Sequence, residues 1–385
     1  MSENNEAGPQ IGASWEGYSE GEALERLRQL GIKPELAFSI EDEKNLKGEK
    51  VNAEIFWTKI GKPDGEEFAD LVPVESKIYL PKENANGELI LFTPGFPGGN
   101  AGRFEQRYAK DFTDAGYAFA TIRHNGTSLT NGKTSAEIMN SPKRTEIAKQ
   151  AGEHHLGGTR PEGYTPRQMI DEPVGVLLAL QEKFKRVHLM GQSMGVASSY
   201  NTATRLKNHP EVTDKIGNIV GIAGYVGGTD GVPDGIWEGM KDFDGGGKYP
   251  NGMDGLIAYE LDYVKKVDLN FALNADQFKQ SLKEVAEKNA EMEVPEHVGN
   301  VLVFCPGDPL IAGPKAKTGE ELLQYGPETK RKAVIEDLSM PESEKAKAHS
   351  MLWIEPENLI RAVEAKVSSH GPHYFTVGGK KEQNG

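Results

Sequence analysis

Short apolar runs alternate with longer helix-prone stretches along most of this 385-residue chain, and that rhythm is the strongest constraint on its fold. The runs fall at residues 51–58, 72–80, 89–92, 117–122, 187–190, 219–223, 301–305 and 333–335. The first two alternate apolar and polar residues, as strands with one face on a core and one on water do. The others are continuous, as in Leu89-Ile90-Leu91-Phe92. Such strands, separated by helices, predict an α/β architecture with a mostly parallel, eight-stranded sheet covered on both faces. The length allows two domains, or one large fold with an insertion. Residues 227–296 break the rhythm, opening Gly- and Asp-rich and continuing helix-prone, and read as an insertion after the sixth strand. The expected organisation is an extension at 1–50 with a disordered start and a short helix at 20–30. A core at 51–226 and 297–368, the insertion at 227–296 and a tail at 369–385 follow.

Charge and cysteine content remove several classes of function. Lys and Arg number 44 against 58 Asp and Glu, a net charge of −14, which argues against a nucleic-acid or anionic-membrane binder, since both need a basic face. The single cysteine, Cys305, excludes an intrachain disulfide. The first six residues carry two acids, no base and no apolar stretch, unlike a secretory signal. No window approaches the roughly 18 apolar residues of a membrane span. A soluble, cytoplasmic protein is expected; oligomeric state is left open.

The motif richest in chemical content is Gly191-Gln192-Ser193-Met194-Gly195. It follows the run at 187–190 and precedes a helix-prone stretch at 196–206, the strand–turn–helix setting that a nucleophile elbow requires. A sharp turn there holds the serine in a strained conformation with its Oγ exposed. Side chains two residues before or after would collide with their surroundings, which explains Gly191 and Gly195. The helix start beyond adds a positive dipole end and N–H groups where an oxyanion develops.

At this motif the chain resembles the α/β-hydrolase superfamily over roughly residues 51–366, its elbow being similar to that of monoacylglycerol lipases and related serine esterases. Gln192 stands where those commonly carry His. Pro94-Gly95-Phe96-Pro97-Gly98-Gly99, after the third expected strand, resembles the family's His-Gly-x-Pro loop with Pro94 in place of His. The resemblance implies an α/β-hydrolase fold with a helical cap at 227–296. It also implies an oxyanion hole from the backbone N–H groups of Phe96 and Met194.

A serine hydroxyl needs a general base, and in this fold the partners follow in the order Ser, Asp or Glu, His. Among the later histidines, His349 lies between the last expected strand and the helix-prone stretch at 356–367, where the family keeps its catalytic histidine. His209 falls past the far end of the elbow helix, and His297 precedes the seventh strand. His370 and His373 follow the last helix and read as surface residues. Asp308, after the run at 301–305, resembles the family's acid turn, and Asp337 is the runner-up.

Other candidates read as structural. Cys305 packs as a small hydrophobe at a strand end. Glu153-His154-His155 lacks a third ligand, and Asp242-Phe243-Asp244 superficially resembles a calcium loop but has Met253 at its twelfth position. Arg123-His124-Asn125-Gly126 either borders the pocket or forms a plain turn. No metal and no cofactor are expected.

The expected activity is serine-dependent hydrolysis of a carboxylic ester through Ser193, His349 and Asp308. A thioesterase, an amidase or iminopeptidase, and a catalytically silent binding protein are the alternatives. Residues 228–300 hold seven Lys, eight Asp and seven Glu, a net of −8, together with Trp237, Tyr249, Tyr259, Tyr263 and Phe271. A cap of that character is expected to favour neutral ester substrates with an apolar or aromatic acyl group.

Overall fold

The computed structural model describes residues 36–40, 44–59, 73–95, 101–124, 170–224, 280, 284–285, 287–289, 291–304, 333–337, 354–366 and 373–377. The first three strands are β1 (Leu36–Ile40), β2 (Ala53–Lys59) and β3 (Pro73–Tyr79). They are followed by β4 (Glu88–Thr93), helix α1 (Ala101–Asp114) and β5 (Ala118–Arg123). Helix α2 (Glu172–Leu180) leads to β6 (Arg186–Gln192), α3 (Met194–Arg205), the single turn α4 (Pro210–Thr213) and β7 (Ile216–Ile222). The chain continues through β8 (Gly299–Phe304), β9 (Ala333–Asp337), α5 (Pro356–Glu364) and β10 (His373–Val377).

All ten strands form one sheet in the order β1-β2-β3-β5-β4-β6-β7-β8-β9-β10. The pairings β1·β2, β2·β3 and β3·β5 are antiparallel, and the remaining ones are parallel. Each of the eight expected strands is present. Two more extend the edges: β1 within the expected N-terminal extension and β10 within the expected tail. Each is five residues long and pairs on one side, β1 with β2 and β10 with β9, so local sequence carries little of its signal.

The parallel strands are continuous apolar runs because helices cover both faces. Leu89 and Leu91 of β4 share a buried cluster with Val174 and Leu177 of α2 and Val196 and Tyr200 of α3. Ile90 and Phe92, facing the other way, pack with Phe104 and Tyr108 of α1 and Leu359 and Val363 of α5. Phe92 and Phe104 stack with ring centroids 3.8 Å apart. Each such side chain contributes about 1.5–3 kcal/mol by leaving water. One expectation is corrected here. β3 was expected to wet one face, yet residues 74–79 are all buried, because α1 covers the polar side of the strand.

The described end of the expected insertion joins the same core. Val285, Met292 and Val294 are buried in the cluster that holds α2 and α3. Thr204 of α3 donates its hydroxyl to the Glu293 carbonyl at 3.0 Å and accepts the Glu293 N–H at 3.1 Å. The rest of the insertion and the helix expected at 20–30 lie outside the described residues. No described helix is long and apolar enough to cross a membrane.

Chain order reverses at β4: β5 pairs on one side of it and β6 on the other. Open α/β sheets place their ligand crevice at such a switch point, outside the carboxyl ends of the strands. Thr93 at the end of β4 lies opposite Gly191 near the end of β6. The two expected active-site segments therefore leave the sheet side by side.

Candidate active site

Ser193 sits between β6 and α3 with φ 52° and ψ −120°. A non-glycine residue held there costs of order 1–3 kcal/mol, and such strain persists only where the surroundings over-determine it. They do so here. The Ser193 N–H donates to the Ile222 carbonyl of β7 at 2.8 Å, and the Val196 N–H donates back to the Ser193 carbonyl at 3.1 Å. A Cβ on Gly191 would lie 2.2 Å from the Gly195 carbonyl oxygen, and one on Gly195 would lie 2.1 Å from the Thr93 carbonyl oxygen. Only glycine lets the helix start this close to both strand ends. Ala223, just past β7, also has positive φ, at 48°.

Strand, strained serine turn and helix at the switch point of a mostly parallel sheet are the parts of one architecture. This is an α/β-hydrolase fold. No family model and no curated protein sequence matches this chain. Among solved structures it is similar to a thermophilic esterase from Thermogutta terrifontis, at 11% identity and a TM-score of 0.42, over 80% of this chain and 99% of that one. It is also similar to a lipase in its open form, at 14% identity and a TM-score of 0.44, over 81% of this chain and 100% of that one. A thermostable carboxyl esterase from Bacillus coagulans shows 15% identity and a TM-score of 0.39, over 84% and 89%.

The expected oxyanion side meets the serine directly. A Cβ on Gly95 would lie 2.9 Å from the Ser193 Cβ and 3.5 Å from its Oγ, so the Gly95 backbone lies against Ser193. Met194 opens α3, whose first N–H groups have no intrahelical acceptor. Of the expected site residues, Ser193 and Met194 are therefore placed together. Phe96, Asp308 and His349 lie outside the described residues, as do Cys305, His370, Glu153-His154-His155 and Asp242-Phe243-Asp244. Asp337 ends β9 and His373 opens β10. Two of the four histidines set aside have other partners. His209 contacts Glu211 at 3.2 Å, and His297 donates from Nε2 to the Thr213 carbonyl at 2.8 Å.

Beside this site lies a charged cluster that local sequence does not reveal. Glu105 of α1 accepts from Lys77 Nζ and Arg123 Nη2 at 2.8 Å each, from the Tyr79 hydroxyl at 3.2 Å, and from the Thr121 hydroxyl. Glu75 lies 3.6 Å from Arg123 Nε. All four ionisable side chains are at most 3% exposed, and two cations against two carboxylates leave the cluster neutral. Buried charge is tolerable only with such pairing and hydrogen bonding. Glu105 lies one turn inside the helix that follows the 94–99 loop, so the cluster pins that helix to β3 and β5.

His124 follows β5 directly. Its Nδ1 lies 2.7 Å from Glu172 Oε2 and its Nε2 lies 3.4 Å from the Pro94 carbonyl oxygen, with both side chains no more than 1% exposed. The preceding residue, Asp171, accepts from Asn201 at 2.9 Å and from Arg205 at 2.7 Å, both on α3. The elbow helix is anchored further inward by Tyr200, which donates its hydroxyl to Asn300 at 3.0 Å. Burial pushes that phenol far above its usual range and keeps it a neutral donor.

Proposed function

We propose that this protein is a serine hydrolase of carboxylic esters working through an acyl-enzyme. The observation that carries the reading is Ser193 itself, held at φ 52° on a strand-to-helix turn that glycines at 191 and 195 make possible. In this reading Ser193 attacks the acyl carbonyl, His349 takes its proton, and Asp308 orients the imidazole and stabilises the imidazolium. The N–H groups of Phe96 and Met194 receive the oxyanion, each such donor being worth ~10²–10³ in rate. His349 then protonates the leaving alcohol, and water releases the acid. The substrate is a small neutral ester with an apolar or aromatic acyl group, selected by the acidic, aromatic-bearing segment that begins at residue 227.

A fluorophosphonate probe tests the reading. Labelling that Ser193→Ala removes supports it; labelling no stronger than background, with no hydrolysis of any ester, sinks it. His349→Ala is expected to lose nearly as much activity as Ser193→Ala, because triad members act as a unit. Asp308→Asn is expected to lower kcat by orders of magnitude and Asp337→Asn to be mild; the reverse would move the acid to the end of β9. A panel of alkyl esters, aryl esters, thioesters and amides sorts the hydrolase classes. Matched neutral and carboxylate-bearing esters at rising salt test the electrostatic part.

A further inference from the structure

We propose that His124 and Glu172 are positioning residues for the oxyanion side of the site, holding the strand end at Pro94–Gly95 against the elbow. This rests on the hydrolase reading of Ser193. A carbonyl oxygen only accepts, so with one proton shared between Nδ1 and Glu172 Oε2 and a second on Nε2, the contact from His124 to Pro94 is a hydrogen bond. At 3.4 Å it is long and depends on how the ring is held, and the 2.7 Å contact to Glu172 holds it. Glu172 in turn opens α2, a rigid helix whose apolar residues Val174, Val176 and Leu177 are buried in the core.

The same turn of chain reaches the other half of the site. Asn201 of α3 donates to the Ile170 carbonyl at 2.7 Å, and Asn201 and Arg205 both bond Asp171. Ile170-Asp171-Glu172 thus grips the helix behind Ser193 through one residue pair and the end of β4 through the other. The brace therefore links the elbow that carries Ser193 to the strand end at Pro94–Gly95. The Gly95 backbone lies against Ser193, so a displacement of Pro94 is transmitted straight to the reacting atoms. Misplacement on the scale of 1 Å costs ~10²-fold in rate.

The experiment compares His124→Phe, His124→Gln, Glu172→Leu and Glu172→Gln with the wild-type protein. Fluorophosphonate titration first counts the competent serines, and kcat and KM for 4-nitrophenyl butyrate are then expressed per titrated site. An alkyl trifluoromethyl ketone, which forms a reversible hemiketal on serine, reads the oxyanion site by its inhibition constant. His124→Phe and Glu172→Leu are expected to lower kcat per site about ten- to hundredfold, a part of what losing a whole donor costs. The ketone should weaken in parallel while KM stays within about threefold, the signature of an interaction made in the transition state. Glu172→Gln can donate its amide N–H to Nδ1 and leave the Nε2 proton facing Pro94, so it should recover most of the loss.

Fewer titrated sites and a lower melting temperature, with wild-type kcat per site and ketone affinity, would make the pair merely structural and overturn the proposal. Labelling lost in both His124 variants but kept in His349→Ala would make His124 the base itself, and would also overturn it. If either non-conservative variant fails to fold, the two glutamine variants carry the test through the same readouts. A wild-type protein that neither labels nor hydrolyses esters overturns the hydrolase reading, and this proposal with it.

Discussion

Two histidine–glutamate pairs stand at opposite ends of the sheet, one half-buried and one buried, and they are built differently. At the amino end, His188 accepts the Asn218 N–H on Nδ1 at 3.1 Å, which leaves its proton on Nε2 to be donated to Glu88 at 3.1 Å. Asn218 then uses its own amide to bond the Val363 and Ala365 carbonyls at the end of α5, at 2.7 and 2.9 Å. Donors meet acceptors throughout the pair, beside a shift in the register of β6 against β7 at His188. At the carboxyl end, both ring nitrogens of His124 face oxygens, a carboxylate and a carbonyl. Close by are the positive φ of Ser193 and a four-charge cluster sealed from water. One end is arranged to be stable, and the other carries strain and buried charge that stability alone does not call for. Local conflicts of this kind are expected where a fold does chemistry.

The largest effect that would break this contrast is a methyl group placed at each end. Gly195→Ala puts a Cβ 2.1 Å from the Thr93 carbonyl oxygen, where only backbone movement of the elbow or of β4 gives relief. Loss of at least ~10²-fold in kcat/KM is expected, read with an ester substrate. Gly217→Ala, at the amino end, meets the side chains of Arg186 and His188 at 2.7 Å. Side chains yield more easily than backbone, so stability falls while kcat/KM stays near wild type. Equal losses of activity from the two substitutions would show that the ends are not separate in function.

Next in size is the charged cluster. Lys77→Met leaves Glu75 and Glu105 facing Arg123 alone, an uncompensated buried charge worth about 3–5 kcal/mol in urea unfolding. Adding Glu75→Gln restores neutrality and should recover part of the loss. A cost below about 1 kcal/mol for Lys77→Met would mean that water reaches the cluster in solution, and the contrast in burial between the two ends would weaken.

This cluster also marks where reading the sequence stops working. The eight core strands were legible because each is a local apolar or alternating run, and the elbow because its Gly-x-Ser-x-Gly spacing is local, although the clash that Gly195 avoids is with Thr93 of β4. Glu75 and Lys77 were not legible as buried. Their alternation with Val74 and Ile78 is that of a strand with a wet face, and what covers that face is α1, some 25–30 positions away in the chain. His124, in the 123–126 stretch, reads as bordering the pocket or forming a plain turn, but its partner Glu172, 48 positions away, carries no local motif. The 36–40 and 373–377 strands escaped for a different reason: five residues on a sheet edge need little hydrophobic pattern, since their pairing comes from backbone hydrogen bonds to a partner strand.

The smallest expected effect tests the quiet end. His188 donating to Glu88 is the main cause holding that carboxyl below the ordinary glutamate value of 4.5, with lesser help from the nearby positive charge of Arg186 and Lys185. A carboxyl whose folded value is depressed contributes stability that is fully present above its unfolded value. That contribution is lost as pH falls through the lower, folded one. Glu88→Gln should therefore cost about 1 kcal/mol near pH 7, the side chain being partly open to solvent. The gap to wild type should narrow as pH drops below about 4.5. Ester hydrolysis at pH 7 should be unchanged, because the pair sits at the end of β4 and β6 away from Ser193. A gap that holds constant down to pH 3 would mean that the His188 bond does not favour the charged carboxylate. A loss of kcat in Glu88→Gln would mean that strain at one end of these strands is felt at the other.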